Sequence, residues 1–401
     1  MPPTHINPPF RADHIGSLLR PPSLLQKRRQ LHEGKVDKAE LIAEEDQAIA
    51  EIVEMQREVG IRGITDGEFR RFLFFDGVFD TLEGMKFHPQ APLDWFMPYV
   101  PVNQAIKDRV TASGAAGFPS LFCEGKLRRT KSFYKDQFEY LKTITSPETH
   151  KNIKITMCAP EFFHLRHGEY SYPKDVYAND EEYFADITVA YREEIQELYS
   201  LGCRNIQFDD PLLPYFCAES VLSGMKARGV NPENVLNTYF QTYQNILKDR
   251  PQDMNIGMHL CRGNFRERKY VSEGGYEIIA IRLFNELPLD CYYLEYDDGK
   301  SGTFEPLRHL PKGKVVILGL ITTKYPELED KEDLKARVHE AASIIASGTE
   351  PRSFEDALQQ ICISPQCGFA SSAIGCNVSP TDMAKKLSLL VQTSKEIWAD
   401  A

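Results

Sequence analysis

The chain has no long hydrophobic run. No stretch of its 401 residues approaches the roughly 18 apolar residues of a membrane span, so no membrane partner is expected. The opening segment MPPTHINPPFRADH lacks the apolar core of a secretory signal, and a cytoplasmic location is expected. Basic charge is also short: 47 Lys and Arg stand against 58 Asp and Glu, a net charge of −11. Nucleic-acid binding needs clustered cations to displace counterions from phosphates. The one basic run, Lys126 to Lys131 (KLRRTK), reads as a solvated loop face, so no nucleic-acid partner is expected. An even cysteine framework is missing too. The nine cysteines, several inside apolar runs (Cys158, Cys203, Cys291), read as thiols and metal ligands in reducing surroundings. There is no Gly/Ser-rich linker, no low-complexity tract and no repeat of about 20–50 residues. With 42% hydrophobic and 26% charged residues, the composition excludes disordered and collagen-like classes.

What is present is an alternation of short apolar, β-rich runs with longer helical periodicity, the pattern of βα units around a parallel sheet. Eight runs qualify as strands: Ile15–Leu19, Gly63–Asp66, Ile153–Cys158, Asn205–Asp209, Asn255–Leu260, Cys291–Tyr296, Lys314–Leu320 and Gln360–Ser364. Eight strands predict an α/β fold of the TIM (β/α)8 barrel type, and barrels with insertions reach this length. Helices are expected over Lys38 to Gly60, after a cap at Asp180, from Asn231 to Lys248 with Pro232 at its first position, over Lys331 to Ser347, and after Ser379-Pro380. Residues 74–150 break the rhythm with prolines and aromatics. They read as a hairpin-like insertion after the second strand, an arm over the barrel mouth, within one domain spanning 1–401.

The reactive side chains gather at the ends of these runs. His259 and Cys261 end the fifth (GMHLCRGN), Glu295 the sixth (YYLEYDD), and Cys367 follows the eighth (ICISPQCG). Asp209 and Asp210 end the fourth, Asp66 and Glu68 the second, and His14, Ile15 and Ser17 sit at the first. In a TIM barrel the C-terminal strand ends carry the active site. Residues i and i+2 of a strand share a face, so His259 and Cys261 can reach one ion. Imidazole and thiolate are zinc donors in tetrahedral geometry, and Glu295 and Cys367 are the candidates to complete the set. Other residues have plainer readings. Cys362 reads as core, Arg70 or Arg71 as a carboxylate partner or a surface group, and Gly299 to Thr303 (GKSGT) lacks phosphate-loop spacing.

At these residues the sequence resembles the cobalamin-independent methionine synthase family, closest to short members equivalent to its C-terminal half. The likeness runs in order through RADHIGSLLRP, ITDGEFRR, IQFDDP, HLCRGNF, LEYD, LGLITTK and SPQCGFAS. It implies a TIM barrel and a catalytic Zn²⁺ held by His259, Cys261, Glu295 and Cys367. It further implies that the Ile15-Gly16-Ser17 turn grips a substrate carboxylate and that Glu68 and Asp209 receive its ammonium group. The chain departs from the family in lacking a histidine after the seventh strand, where it reads Leu320-Ile321-Thr322-Thr323-Lys324, and a tryptophan-bearing segment after the third, where it reads Cys158 to His164 (CAPEFFH).

The implied reaction is zinc-dependent methyl transfer to a thiol, homocysteine to methionine, from a methyl-tetrahydrofolate or another donor. His14 is the expected general acid, with Asp210 the second catalytic candidate. The partners expected are a small-molecule thiol and a methyl donor, with a homo-oligomer left open. Two alternatives stand beside this: the same zinc chemistry on another thiol or electrophile, such as an epoxide or a specialised metabolite, and a non-catalytic zinc-stabilised barrel.

Overall fold

A computed structural model describes residues 7–96, 98–99, 117–264, 272–373 and 375–401. Eight strands are labelled in chain order. An antiparallel pair, β1 (Leu82–Ala91) and β2 (Phe118–Arg129), stands apart from a six-stranded parallel sheet of β3 (Ile155–Cys158), β4 (Asn205–Asp210), β5 (Asn255–Leu260), β6 (Cys291–Glu295), β7 (Val315–Ile321) and β8 (Ile361–Pro365). In the sheet each strand pairs with the next in sequence. Such strands are covered on both faces, so they read as unbroken apolar runs. The fold is α/β, a TIM barrel with a long insertion after the second strand position.

The first two barrel positions are single bridges, Ala12 to Ile363 of β8 and Ile64 to Ile153 just before β3. The expected first strand, Ile15–Leu19, is a correction. The pairing hydrogen bonds run from Asp13 N–H to the Ile363 carbonyl (3.0 Å) and from Ile363 N–H to the Arg11 carbonyl (2.9 Å). Gly16, at φ 138°, then turns the chain out of line.

Helix boundaries follow their caps. Asp37 and Glu40 form a capping box at the start of Lys38–Glu58. Asn179, not Asp180, caps Asp180–Ser200: its extended backbone lets its side chain accept the Glu182 N–H, while Asp180 is already helical. Asn231 caps Pro232–Leu247 and Asp330 caps Lys331–Ala346. Ser379 and Asp382 form a second capping box ahead of Pro380–Ile397. Ser379→Ala is expected to destabilise the protein by about 1 kcal/mol, read as a lower urea midpoint.

The insertion contains the β1–β2 hairpin. It packs on the segment that follows β3, where the Leu127 N–H donates to Tyr177 Oη (2.7 Å) and Phe122 stacks on His167 with centroids 3.9 Å apart. The basic run is committed within the chain: Lys126 lies 4.0 Å from the Tyr177 ring centroid, Arg128 pairs with Glu83 (2.5 Å) and Arg129 with Glu194 (2.7 Å).

Inside the barrel, Ile15, Cys291, Tyr293, Ile317 and Cys362 form a small buried cluster. Beside it Lys154 Nζ meets Asp13 Oδ1 at 3.0 Å, and Tyr293 Oη donates to Asp13 Oδ2 at 2.9 Å. A fully buried ion pair of this kind is tolerated only when its remaining atoms are also satisfied. With Cys291 and Tyr293 facing inward, the strand period of two turns Glu295 inward as well.

Candidate metal centre

Four side chains converge on one point at the C-terminal ends of the sheet. One ligand atom each from His259, Cys261, Glu295 and Cys367 lies within 4.8 Å of all the others, and the residues are buried or nearly so. The two sulfurs are 3.4 Å apart. Donor separations of a few ångströms are what a tetrahedral ion with ligand bonds of roughly 2.0–2.3 Å requires.

Each donor is aimed by its strand. His259 pairs with Asp209 across β4–β5 and with Tyr293 across β5–β6. Both its ring nitrogens are buried without a well-formed hydrogen bond, and burial lowers its pKa to about 3, so the ring is neutral and free to coordinate. Cys261 Sγ accepts the Gly263 N–H at 3.3 Å. Glu295 Oε1 accepts the Arg262 N–H at 3.2 Å, and Lys300 Nζ stands 3.4 Å from Oε2. The Cys367 thiol is pushed well up, first by the adjoining Cys261 sulfur and then by burial. A bare pair of sulfurs this close resists deprotonation, whereas a divalent cation between them favours both thiolates. The donor chemistry therefore fits a metal ion.

A second group of acids adjoins this one. Glu68 and Asp209 are both buried, and burial raises the pKa of each, Asp209 well above the ordinary carboxylate range with Glu68 as the next cause. Glu68 adopts the left-handed region at φ 60°, which is uncommon for a non-glycine residue and gathers at functional positions. Asp66 Oδ1 holds the turn by accepting the Glu68 N–H at 2.8 Å, and Thr156 Oγ1 donates to Glu68 Oε1 at 2.8 Å. Glu68 Oε2 has no hydrogen-bond partner among the described residues. Arg71 lies 3.6 Å from Glu68 Oε1 and is buried, while Arg70 turns away to Glu45 and Asp46. Asp209 Oδ1 accepts from Gln207 Nε2 (2.7 Å), whose amide also reaches the Ile15 carbonyl (2.6 Å).

The Ile15–Ser17 turn lies against both groups. A Cβ on Gly16 would come within 2.5 Å of Thr156 Cγ2, and one on Gly368 within 1.8 Å of Ser17 Oγ. Only glycine permits these approaches, which seat the turn between the Glu68 acid and the loop carrying Cys367.

Two expected catalytic residues lie elsewhere. His14 is buried, and its Nε2 faces the Gly63 carbonyl at 2.8 Å. Burial lowers its pKa to about 4, so it carries no proton to give near neutrality. The reason is parity: Asp13 and Ile15 face the barrel interior, so His14 faces out. Asp210 is a correction on the same ground. Asp209 points in, and Asp210 points out to Tyr243 Oη (2.8 Å) and the N–H groups of Leu212 (2.8 Å) and Leu213 (2.9 Å). His14 should instead appear in the acid stability profile. The unfolded chain takes up a proton at this ring near pH 6.5, while the folded ring resists to about pH 4. Its contribution, about 3 kcal/mol, is complete above the higher pH and is lost as pH falls toward the lower one. His14→Gln should flatten urea midpoints measured between pH 4 and 6.5.

Sequence reasoning passed over Lys300 and Lys324. Lys300 contacts Glu295, and Lys324 Nζ lies 3.8 Å from Asp297 Oδ2. A lysine just beyond the end of the seventh strand was the one available signal.

Residues 168–386, more than half of the chain, match the profile of the cobalamin-independent synthase catalytic domain. The chain belongs to the cobalamin-independent methionine synthase family. It is 36% identical over 391 residues to the uncharacterised protein YxjH of Bacillus subtilis, covering 97% of this chain and 95% of that one. A methionine synthase of Saccharolobus solfataricus is 26% identical over 57% of the chain and 62% of its own length. Among solved structures, a Listeria monocytogenes protein described as a candidate vitamin-B12-independent methionine synthase superposes with a TM-score of 0.72 at 29% identity, over 97% of this chain and 98% of that one. A B12-independent methionine synthase of Shewanella, solved with selenomethionine, shares the fold at a TM-score of 0.65 and 17% identity, over 96% and 97% of the two chains. The methionine synthase family places the chain among transferases of methionine biosynthesis acting on small molecules. No helix among the described residues is long and apolar enough to cross a membrane.

Proposed function

We propose that the protein is a zinc-dependent S-methyltransferase whose acceptor is an amino-acid thiol, homocysteine in the simplest case. The observation that carries this reading is the convergence of one imidazole, two sulfurs and one carboxylate within 4.8 Å. That donor set selects zinc over magnesium or calcium, which favour oxygen. When bound, zinc supplies nucleophilicity at neutral pH by holding an incoming thiol, otherwise of pKa roughly 8.5, in its thiolate form.

The chain's own residues do the rest. His259, Cys261, Glu295 and Cys367 would hold the ion. Burial raises both Glu68 and Asp209, so each carboxylate gains from a cation placed beside it. A substrate ammonium between them would favour both carboxylates and be held by charge-assisted hydrogen bonds. The Ile15–Ser17 turn, fixed on the other side, would take the substrate carboxylate. The acceptor sulfur is then oriented toward the Cys367 loop that the turn touches. Nine unbridged cysteines suit a reducing compartment, and we place the protein in the cytoplasm. We treat 1–401 as one domain, with 74–150 as an arm over the barrel mouth.

The donor is a methyl-folate or another carrier of an activated methyl group. One observation favours a different electrophile. After β3, where the family's tryptophan-bearing segment would lie, Phe162 and Phe163 join Phe74 and Phe75 in a cluster with centroids 4.6–5.7 Å apart, edge to face except for the tilted Phe75–Phe162 pair. Phe162 and Phe163 are buried and only Phe74 and Phe75 are partly exposed, an apolar lining that suits an apolar donor. The test is to assay protein purified without added metal for zinc, then to screen thiol acceptors by mass spectrometry with methyl-folates and other donors in parallel. One zinc per chain and a methylated thiol are expected. Protein free of zinc, or zinc-loaded protein that alkylates no thiol, would defeat the reading.

A further inference from the structure

Against the four-ligand cluster stands a cation that the proposed chemistry has not used. Lys300 lies on the short turn Gly299–Ser301 after β6. Its side chain is 3% exposed, and its ammonium is 3.4 Å from Glu295 Oε2, 2.6 Å from Asp297 Oδ1 and 3.1 Å from Asp298 Oδ1. Asp298 is half exposed, whereas Asp297 is buried and has the second ammonium, Lys324, 3.8 Å from its other oxygen. Glu295 and Asp297 thus face Lys300 and Lys324, and the Arg262 guanidinium is also buried within electrostatic reach of Glu295. A divalent ion with the thiolates of Cys261 and Cys367 is neutral by itself.

The contact between Lys300 and Glu295 has a consequence for ligand exchange. An incoming thiol that takes the place of Glu295 releases its proton to solvent and brings one negative charge to the ion. The ion's share of charge is unchanged, but the Glu295 carboxylate is left buried without its cation. A buried charge deprived of its partner is strongly disfavoured. Lys300 already touches the oxygen of Glu295 that accepts no hydrogen bond, so the released carboxylate needs no new desolvation and only a small movement.

We propose that Lys300 is the positioning residue for Glu295, the counter-ion that receives this carboxylate when a substrate thiol replaces it at the metal. The inference rests on the metal–thiol reading above. It makes Lys300 a competitor of the ion for one carboxylate, so its removal should shift metal and thiol affinity in opposite directions. Loss of a merely structural lysine would weaken both.

The test uses the full chain loaded with Co²⁺, whose visible absorption reports its ligand set. Metal affinity is measured by competition with a chelator, and thiol affinity by titration with 2-mercaptoethanol and with homocysteine. Lys300→Met is expected to hold Co²⁺ as tightly as the wild type or more so, and to bind thiol at least about tenfold more weakly. Lys300→Arg should restore most of the thiol affinity, since it returns the charge. Asp297→Asn removes a rival for the Lys300 ammonium and should act oppositely, with tighter thiol and weaker metal; it also serves if Lys300→Met does not fold. Unchanged thiol affinity in Lys300→Met, or parallel weakening of metal and thiol, overturns the proposal. A wild-type protein that binds no Co²⁺, or whose spectrum ignores thiol, overturns the underlying metal–thiol reading instead, and this shows before any variant is made.

Discussion

Cys261→Ser is expected to lose the metal and thiol alkylation together, by well over the roughly 100-fold that marks the upper range for residues merely supporting a ligand. Cys261 Sγ is 3.4 Å from Cys367 Sγ and accepts the Gly263 N–H at 3.3 Å. The first contact raises the Cys367 thiol and disfavours two thiolates unless a cation intervenes. A serine oxygen is harder, shorter-reaching and almost never ionised, so it supplies neither the charge nor the reach. Cys362→Ser is the control. That side chain also lies in the barrel interior but in the cluster with Ile15, Cys291, Tyr293 and Ile317, apart from the donor set. It should retain zinc at the wild-type ratio. Zinc content and product formation, measured on the same preparations, check both variants.

The second large effect is expected at Asp209. Asp209→Asn removes one of the two charges that would face the substrate ammonium. A hydrogen bond to a charged group contributes about 1.5–3 kcal/mol, so KM for the amino-acid thiol should rise roughly 10- to 100-fold. kcat should change less, because Asp209 grips a part of the substrate remote from the sulfur. The same variant should be at least as stable as the wild type. Burial and the neighbouring Glu68 both disfavour a carboxylate at Asp209, so a neutral amide in its place relieves an unfavourable arrangement. Stability held back at a binding site is a common trade. A raised KM with a raised urea midpoint is therefore the signature to look for. If Asp209→Asn loses stability and keeps its KM, Asp209 is a structural group and the ammonium site lies elsewhere.

The parts legible in the sequence are those where one local rule suffices. Strands β3 to β8 are buried on both faces, so each appears as an apolar run, and each was placed to within two residues. The metal donors share this legibility because they end such runs: His259 and Cys261 lie two apart, and Glu295 lies two beyond Tyr293. The hairpin strands were hidden for a physical reason. β1 contains Pro89 and has register breaks between Glu83 and Met85 and between His88 and Ala91, so its exposure does not alternate. Gly84, at φ 91°, sits at one break, where a Cβ would come within 2.4 Å of the Lys126 carbonyl oxygen.

His14 and Asp210 were misread through parity. Each neighbours a residue that points into the barrel, Ile15 in one case and Asp209 in the other, and a shift of one position reverses the face. The first strand had been placed three residues late, at Ile15 instead of Ala12, which concealed the error at His14. Lys300 had no local signal at all. It belongs to a loop motif, and its meaning comes from Glu295 and Asp297 across a turn that only the folded chain brings together.

The central claim is that His259, Cys261, Glu295 and Cys367 hold one zinc ion that takes up a thiol, and X-ray absorption at the zinc edge addresses it directly. The zinc-loaded protein should show two sulfur neighbours at about 2.3 Å and two lighter ones near 2.0–2.2 Å. Added homocysteine should bring in a third sulfur at the expense of a lighter neighbour. A first shell made only of nitrogen and oxygen, or a two-sulfur shell that saturating homocysteine leaves unchanged, would contradict the account.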